Sequence, residues 1–158
     1  MSDSDVRAAS GIPPARPRET AVVRGSRREG REAALQAVYM HDVCGENPAE
    51  LPEPAWSQEP LTPKARTFAR HLAEGVAGTR ERIDKLLKKY AENWDLARMA
   101  AIDRCILRIG TYEILHDLDT PISVVINEAV EIAKRYSTAE SSRFVNGILD
   151  KIQGERGA

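Results

Sequence analysis

Apolar residues recur at helical spacing through most of this chain, and no stretch alternates with the period of two that a half-buried strand requires. From Arg28 to about Asp42, Ala34, Leu35, Val38 and the flank of Tyr39 make one stripe and predict a first helix. Gly30, a weak helix former at a cost of about 1 kcal/mol relative to Ala, favours a later start for it. Thr62 followed by Pro63 fits an N-cap and a first helical position, and from there to about Tyr90 the stripe continues through Phe68, Leu72, Val76, Ile83, Leu86 and Leu87. This is one long helix, or two with a break near Gly75 to Gly78.

Three clearer helices follow the short "WDLARM" segment. In "AAIDRCILRIGTYEILHD" one face holds Ile102, Cys105, Ile106, Ile109, Tyr112 and Leu115. In "TPISVVINEAVEIAKRY" Thr120 and Pro121 read as N-cap and N1 ahead of Val125, Ile126, Ala129, Val130 and Ala133. "STAESSRFVNGILDKI" sets Ser137 and Glu140 at capping-box spacing before Phe144, Val145, Ile148, Leu149 and Ile152. The predicted fold is all-α: a helical bundle in a single domain over residues 27–155, with N-terminal helices over about 28–90 and C-terminal helices over about 94–155.

Two segments break the pattern. Met1 to about Ser26, centred on "GIPPARPRE", offers too little apolar surface to offset the entropy of ordering it, and is predicted to be a flexible basic arm. Between the first two helices, "GENPAELPEPAWSQEPLTP" carries five prolines from Pro48 to Pro63, and residues 44–62 read as a long acidic loop anchored by Leu51 and Trp56.

The net charge of −1 conceals an uneven distribution: Arg7, Arg16, Arg18, Arg24, Arg27, Arg28 and Arg31 crowd the start, and Glu46, Glu50, Glu53 and Glu59 follow in the loop. Two cysteines, Cys44 and Cys105, argue against a disulfide framework and a metal cluster, and suit a reducing cytoplasm. The first thirty residues contain no apolar run of signal-peptide or membrane-spanning length, so a soluble cytoplasmic protein is expected. His41, His71 and His116 lie at the ends of different helices with no local ligand spacing, and neither a glycine-bounded nucleophile turn nor a phosphate-cradling loop is present. No metal, cofactor or catalytic activity is predicted. Glu131 lies one turn and Glu128 about two turns ahead of Lys134 and Arg135, and these charges read as helix-supporting ion pairs.

The arginines at the head of the first helix need a different explanation, because a helix start prefers acidic side chains. In "RREGREAALQAVY" positions 27, 28 and 31 lie close to one side, so three guanidinium forks can face one ligand. Tyr39 lies two turns beyond Arg31, and Tyr136 and Phe144 flank the "STAESSR" turn with Arg143 between them. Rings beside guanidinium groups are what single-stranded nucleic acid uses, with bases stacked and the backbone neutralised. For Phe144 and Tyr136 core packing is the competing reading.

"RREGREAALQAVY", "ILRIGTYEIL", "TPISVVINEAVEIAKRY" and above all "SSRFVNGILDKI" resemble, in order, the motifs of the NusB family of bacterial transcription antitermination and termination factors. The likeness runs from about Arg27 to Ile152. It implies two helical subdomains, no catalysis or cofactor, binding of the single-stranded boxA element of ribosomal RNA operon leaders, and a heterodimer with the ribosomal protein NusE within the transcribing RNA polymerase complex. Carried over by position, it assigns Arg27, Arg28, Arg31 and Tyr39 to RNA, sets Tyr136, Glu140 and Phe144 near the same surface, and gives Asp103 to NusE. Glu29 stands where a further arginine is usual. The alternatives are a homodimer that covers the arginine motif and the RNA-binding part of an RNA cytosine methyltransferase; the latter needs a glycine-rich α/β methyl-donor domain, of which this sequence holds no sign.

Overall fold

The computed structural model describes residues 26–50, 60–92 and 95–157; the predicted arm, and Leu51 and Trp56 of the loop, lie outside them. Among these residues five helices follow one another: α1 (Arg27–Cys44), α2 (Pro63–Tyr90), α3 (Ala101–His116), α4 (Ile122–Tyr136) and α5 (Ala139–Ile152), with 3-10 turns at Pro48–Glu50 and Gln153–Glu155. Among the described residues there is no extended strand, and no helix is long and apolar enough to cross a membrane.

Helix α3 is the axis of the bundle. It touches all four other helices, lying between an α1–α2 pair and an α4–α5 pair. Its residues Cys105 to Ile114 are therefore buried on every side, beyond the single stripe predicted. Leu35, Leu72, Ile83, Leu87, Leu107, Ile114, Leu149 and Ile152 are wholly enclosed, each worth about 1.5–3 kcal/mol of transfer free energy.

Helix boundaries follow local chemistry. Ser26 caps α1, its Oγ accepting from the Glu29 N–H at 3.2 Å, so the helix begins at Arg27, earlier than Gly30 suggested. Gly30 sits inside it for a packing reason: a Cβ there would lie 3.0 Å from Phe68 Cδ2 and 3.1 Å from the Ala65 carbonyl oxygen of α2. Thr62 caps α2, as predicted, accepting from Ala65 N at 3.3 Å. The expected irregularity of α2 falls at Thr79 (φ −121°, ψ 16°), whose hydroxyl donates to the Gly75 carbonyl at 2.8 Å. Gly75 itself lies beneath the Tyr112 ring, where no side chain fits.

Two predicted caps are displaced by one residue. Helix α4 starts at Ile122 with Pro121 as N-cap and no side-chain cap bond, so Thr120 plays no capping part. Helix α5 is capped by Thr138, which accepts from Ser141 N at 3.0 Å; Ser137 instead donates its hydroxyl to Ser141 Oγ. The second shift follows from Ser137 being spent on closing α4, its N–H donating to the Ala133 carbonyl at 2.8 Å.

Polar clamps tie the helices together. Asp42, near the end of α1, accepts from Arg104 and Arg108 of α3 and Arg80 of α2, and Arg108 also forks onto Asp84 at 2.9 and 3.0 Å. Beyond α5, Arg156 donates to the carbonyls of Glu113, Ile114, Asp117 and Thr120, closing the C-terminal end of α3.

Candidate nucleic-acid interface

The arginines at the start of α1 do not face one ligand together. Successive helical residues are about 100° apart, so Arg27 and Arg31 point towards α2 and α3 while Arg28 turns to α4. Arg28 forks onto Glu128 at 2.7 and 3.1 Å, keeping its side chain 42% exposed. Arg31 corrects the sequence reading most clearly. It is 3% exposed and bonds to both Glu113 oxygens at 2.7 to 3.2 Å, in a pocket otherwise lined by Leu35, Ile106, Ile109, Gly110, Ala129 and Ile132. Burial pushes the Glu113 carboxyl above its ordinary value although Arg31 pulls it down. Arg27 is exposed, its guanidinium carbon 4.3 Å from the centre of the Phe68 ring, which Arg31 also approaches at 5.1 Å.

On the α4 side, Arg28, Glu32, Glu131, Ile132, Lys134 and Arg135 line a shallow open groove. Tyr136, at the end of α4, is 8% exposed and donates its hydroxyl to Glu32 at 2.7 Å, with Arg135 at 3.7 Å from the same carboxylate. A ring so enclosed offers no open face to a base, so the stacking expected of Tyr136 is not available in this arrangement. Tyr39 and Phe144 are half-buried against the core, while Glu140 and Arg143 are exposed on the first turns of α5.

Asp103, which the resemblance gives to a protein partner, is enclosed. It is 7% exposed; one oxygen accepts from Ser141 Oγ at 2.8 Å, and the other, Oδ1, is buried with no hydrogen-bond partner among the described residues. A buried carboxylate oxygen left so is costly, and such atoms call for an explanation. The first turns of α3 and α5 thus converge on one incompletely satisfied acid.

Sequence reasoning missed Glu113 and Glu32, which hold Arg31 and Tyr136, and gave Glu128 to a cation of its own helix where the structure gives it to Arg28. Each lies 82 to 104 residues away along the chain, and no local pattern encodes such pairings. It also missed the groove on the other side of Arg27, where Pro63, Lys64, Ala65, Thr67, Phe68 and His71 of α2 complete the lining. Phe68 was legible only as a stripe residue.

Comparison with known proteins gives one consistent result. The family model "NusB family" matches residues 28–154. The transcription antitermination protein NusB of Symbiobacterium thermophilum is 47% identical over 142 residues, covering 84% of this chain and 93% of its own. The protein of the same name from Myxococcus xanthus is 46% identical over 132 residues, with 81% and 94% covered. Among solved structures, T. maritima NusB superposes with a TM-score of 0.72 at 37% identity, covering 84% of this chain and 94% of that one. A chain from the crystal structure of antitermination factors NusB and NusE in complex with dsRNA superposes with a TM-score of 0.73 at 27% identity, covering 82% and 96%. Arginine-headed α1, central α3 and the "SSRFVNGILDKI" helix α5 are thus parts of a shared fold, and this chain belongs to the NusB family.

Proposed function

We propose that the protein is a non-enzymatic transcription antitermination factor of the cytoplasm, binding boxA-like RNA together with the ribosomal protein NusE in the transcribing RNA polymerase complex. The observation that carries this is the likeness, over nearly the whole length of the other chain, to a structure in which NusB and NusE are bound to RNA. Within this chain, exposed Arg27 and half-exposed Arg28 would supply cations for phosphate, and we assign rim contacts to half-buried Tyr39 and Phe144 and to exposed Glu140 and Arg143. Arg31 and Tyr136 serve by position: one anchors the first turns of α1 on α3, and the other joins α1 to the end of α4.

Asp103 supports the protein partner. Its unpaired Oδ1 suits a basic or amide donor from NusE, and losing one member of a buried charged pair at an interface costs about 2–5 kcal/mol. Asp103→Asn keeps the volume and the side chain's place beside Ser141 while removing the charge. Calorimetric titration with NusE is expected to show at least a tenfold loss of affinity, with RNA binding by the variant alone unchanged. Equal NusE affinity in wild type and variant would remove Asp103 from that interface.

A further inference from the structure

The cations that are already paired and those that are not lie on different sides of α1. On the α4 side Arg28 is taken by Glu128, Lys134 lies 3.4 Å from Glu131, and Arg135 shares Glu32 with Tyr136. On the α2 side Arg27 and Lys64 have no carboxylate partner among the described residues, and both line the open groove with Phe68, Thr67 and His71. The one acid bonded to a lining residue there is Asp117, held on His71 Nε2 at 2.7 Å. An anionic chain therefore meets cations with no carboxylate bonded to them in this groove, although Glu113 acts on Arg27 from beneath, whereas on the α4 side it must compete with carboxylates already in place. The arrangement also has an aromatic floor. Phe68 supports the Arg27 guanidinium at 4.3 Å and stacks with His71 at a centroid separation of 6.5 Å. A guanidinium seated over a ring loses little freedom when a base is added to the stack.

We infer that the groove between the starts of α1 and α2 is a second single-stranded RNA contact, in which a base stacks on the Arg27–Phe68 platform and Lys64 meets the adjoining phosphate. It is continuous with the RNA surface through Arg27 and Arg28, which are neighbours in sequence but face different sides of α1, about 100° apart, so one strand crosses the head of the helix and descends on the α2 side. The inference rests on the reading of the chain as an RNA binder and adds the path of the strand beyond the contacts at Arg28. Gly30 acquires a role in it, since its missing Cβ is what lets Phe68 lie against α1.

The test compares a short boxA-like RNA with the same RNA extended by about six single-stranded nucleotides at either end in turn, a length within the usual footprint of one single-strand site. Wild-type protein is expected to bind one of the extended RNAs about tenfold more tightly than the short one, and with a steeper salt dependence, each extra phosphate adding about 0.7 to the slope. Lys64→Glu, on the exposed first turn of α2, is expected to abolish that gain while leaving affinity for the short RNA and the unfolding transition unchanged. A 2-aminopurine placed in the effective extension should be quenched on wild type and not on Arg27→Ala. Equal affinity for short and extended RNAs, or a gain that survives in Lys64→Glu, overturns the groove contact and leaves the RNA-binding reading standing. Loss of NusE binding with RNA binding intact in Lys64→Glu would also overturn it, assigning the groove to protein. Failure of wild type to bind any of these RNAs overturns both.

Discussion

Arg31→Ala is expected to lower the unfolding free energy by about 3–5 kcal/mol, as loss of one partner of a buried ion pair does, in a domain whose whole stability is of the order of 5–15 kcal/mol. The cost comes from Glu113, which is 1% exposed and would be left ionised or forced to take up a proton among Leu35, Ile106, Ile109 and Ile132. Urea titration followed by circular dichroism measures it. The double variant Arg31→Met with Glu113→Leu removes both charges and fills the pocket with apolar volume, and should recover most of the loss. That variant also separates anchoring from ligand contact. If Arg31 acts by holding α1 on α3, the refolded double variant binds RNA with nearly wild-type affinity and salt dependence. A stable double variant with weakened RNA binding and a flatter slope would return Arg31 to the RNA surface.

Asp42→Asn is the second large effect, again about 3–5 kcal/mol, because the carboxylate is the common acceptor of Arg104 and Arg108 with its side chain 4% exposed. Part of the charge on Arg108 is still met by Asp84, and Arg104 also donates to the carbonyls of Leu96 and Met99, so the loss is expected to fall in the lower half of that range. The effect carries a pH signature. Burial by itself would raise the Asp42 carboxyl, but the hydrogen bonds from Arg104 and Arg108 outweigh it and hold the group below its ordinary value of 3.8. A carboxylate depressed in the folded state contributes stability that is complete above its unfolded pKa and is lost as pH falls through the folded one. The stability gap between wild type and Asp42→Asn should therefore stay constant from neutral pH down to about 4 and close below it. Glu113 has the opposite sign: its pKa is raised on folding, so the contribution of its protonated form is present in acid and is lost as pH rises through the folded value. A gap that instead narrows between pH 7 and pH 5 would place the titrating group elsewhere.

Elements and faces were legible where the determining interactions are local. Thr62 and Pro63 open α2 through a side-chain oxygen and a missing N–H within three residues of each other, and the α5 stripe of Val145, Ile148, Leu149 and Ile152 is buried as its spacing requires. The predicted break in α2 lies within a few residues of Thr79 because weak helix formers gather there. Contacts across the bundle were not legible. Whether an arginine at the head of α1 meets solvent or Glu113 depends on the crossing of α1 and α3, and two residues on one helix face can end in different dielectric surroundings. Arg27 and Arg31 do so over the same Phe68 ring. Asp103 shows the converse case: it falls outside the α3 stripe of Ile102, Ile106 and Ile109, and its enclosure depends on Ser141 arriving from α5. Long-range pairings thus fix which cations at the head of α1 stay exposed.

The salt dependence of RNA binding by wild type and by the Arg27→Ala, Arg28→Ala double variant tests the proposed function most directly, because both residues lie at the exposed head of α1 and neither is buried in the core. Measured by anisotropy on a boxA-like single strand, log Kd against log salt should be about 1.4 shallower in the double variant than in wild type, the share of two phosphates at about 0.7 each, with unfolding nearly unchanged. Identical slopes and affinities in the two proteins would contradict an RNA surface at the head of α1.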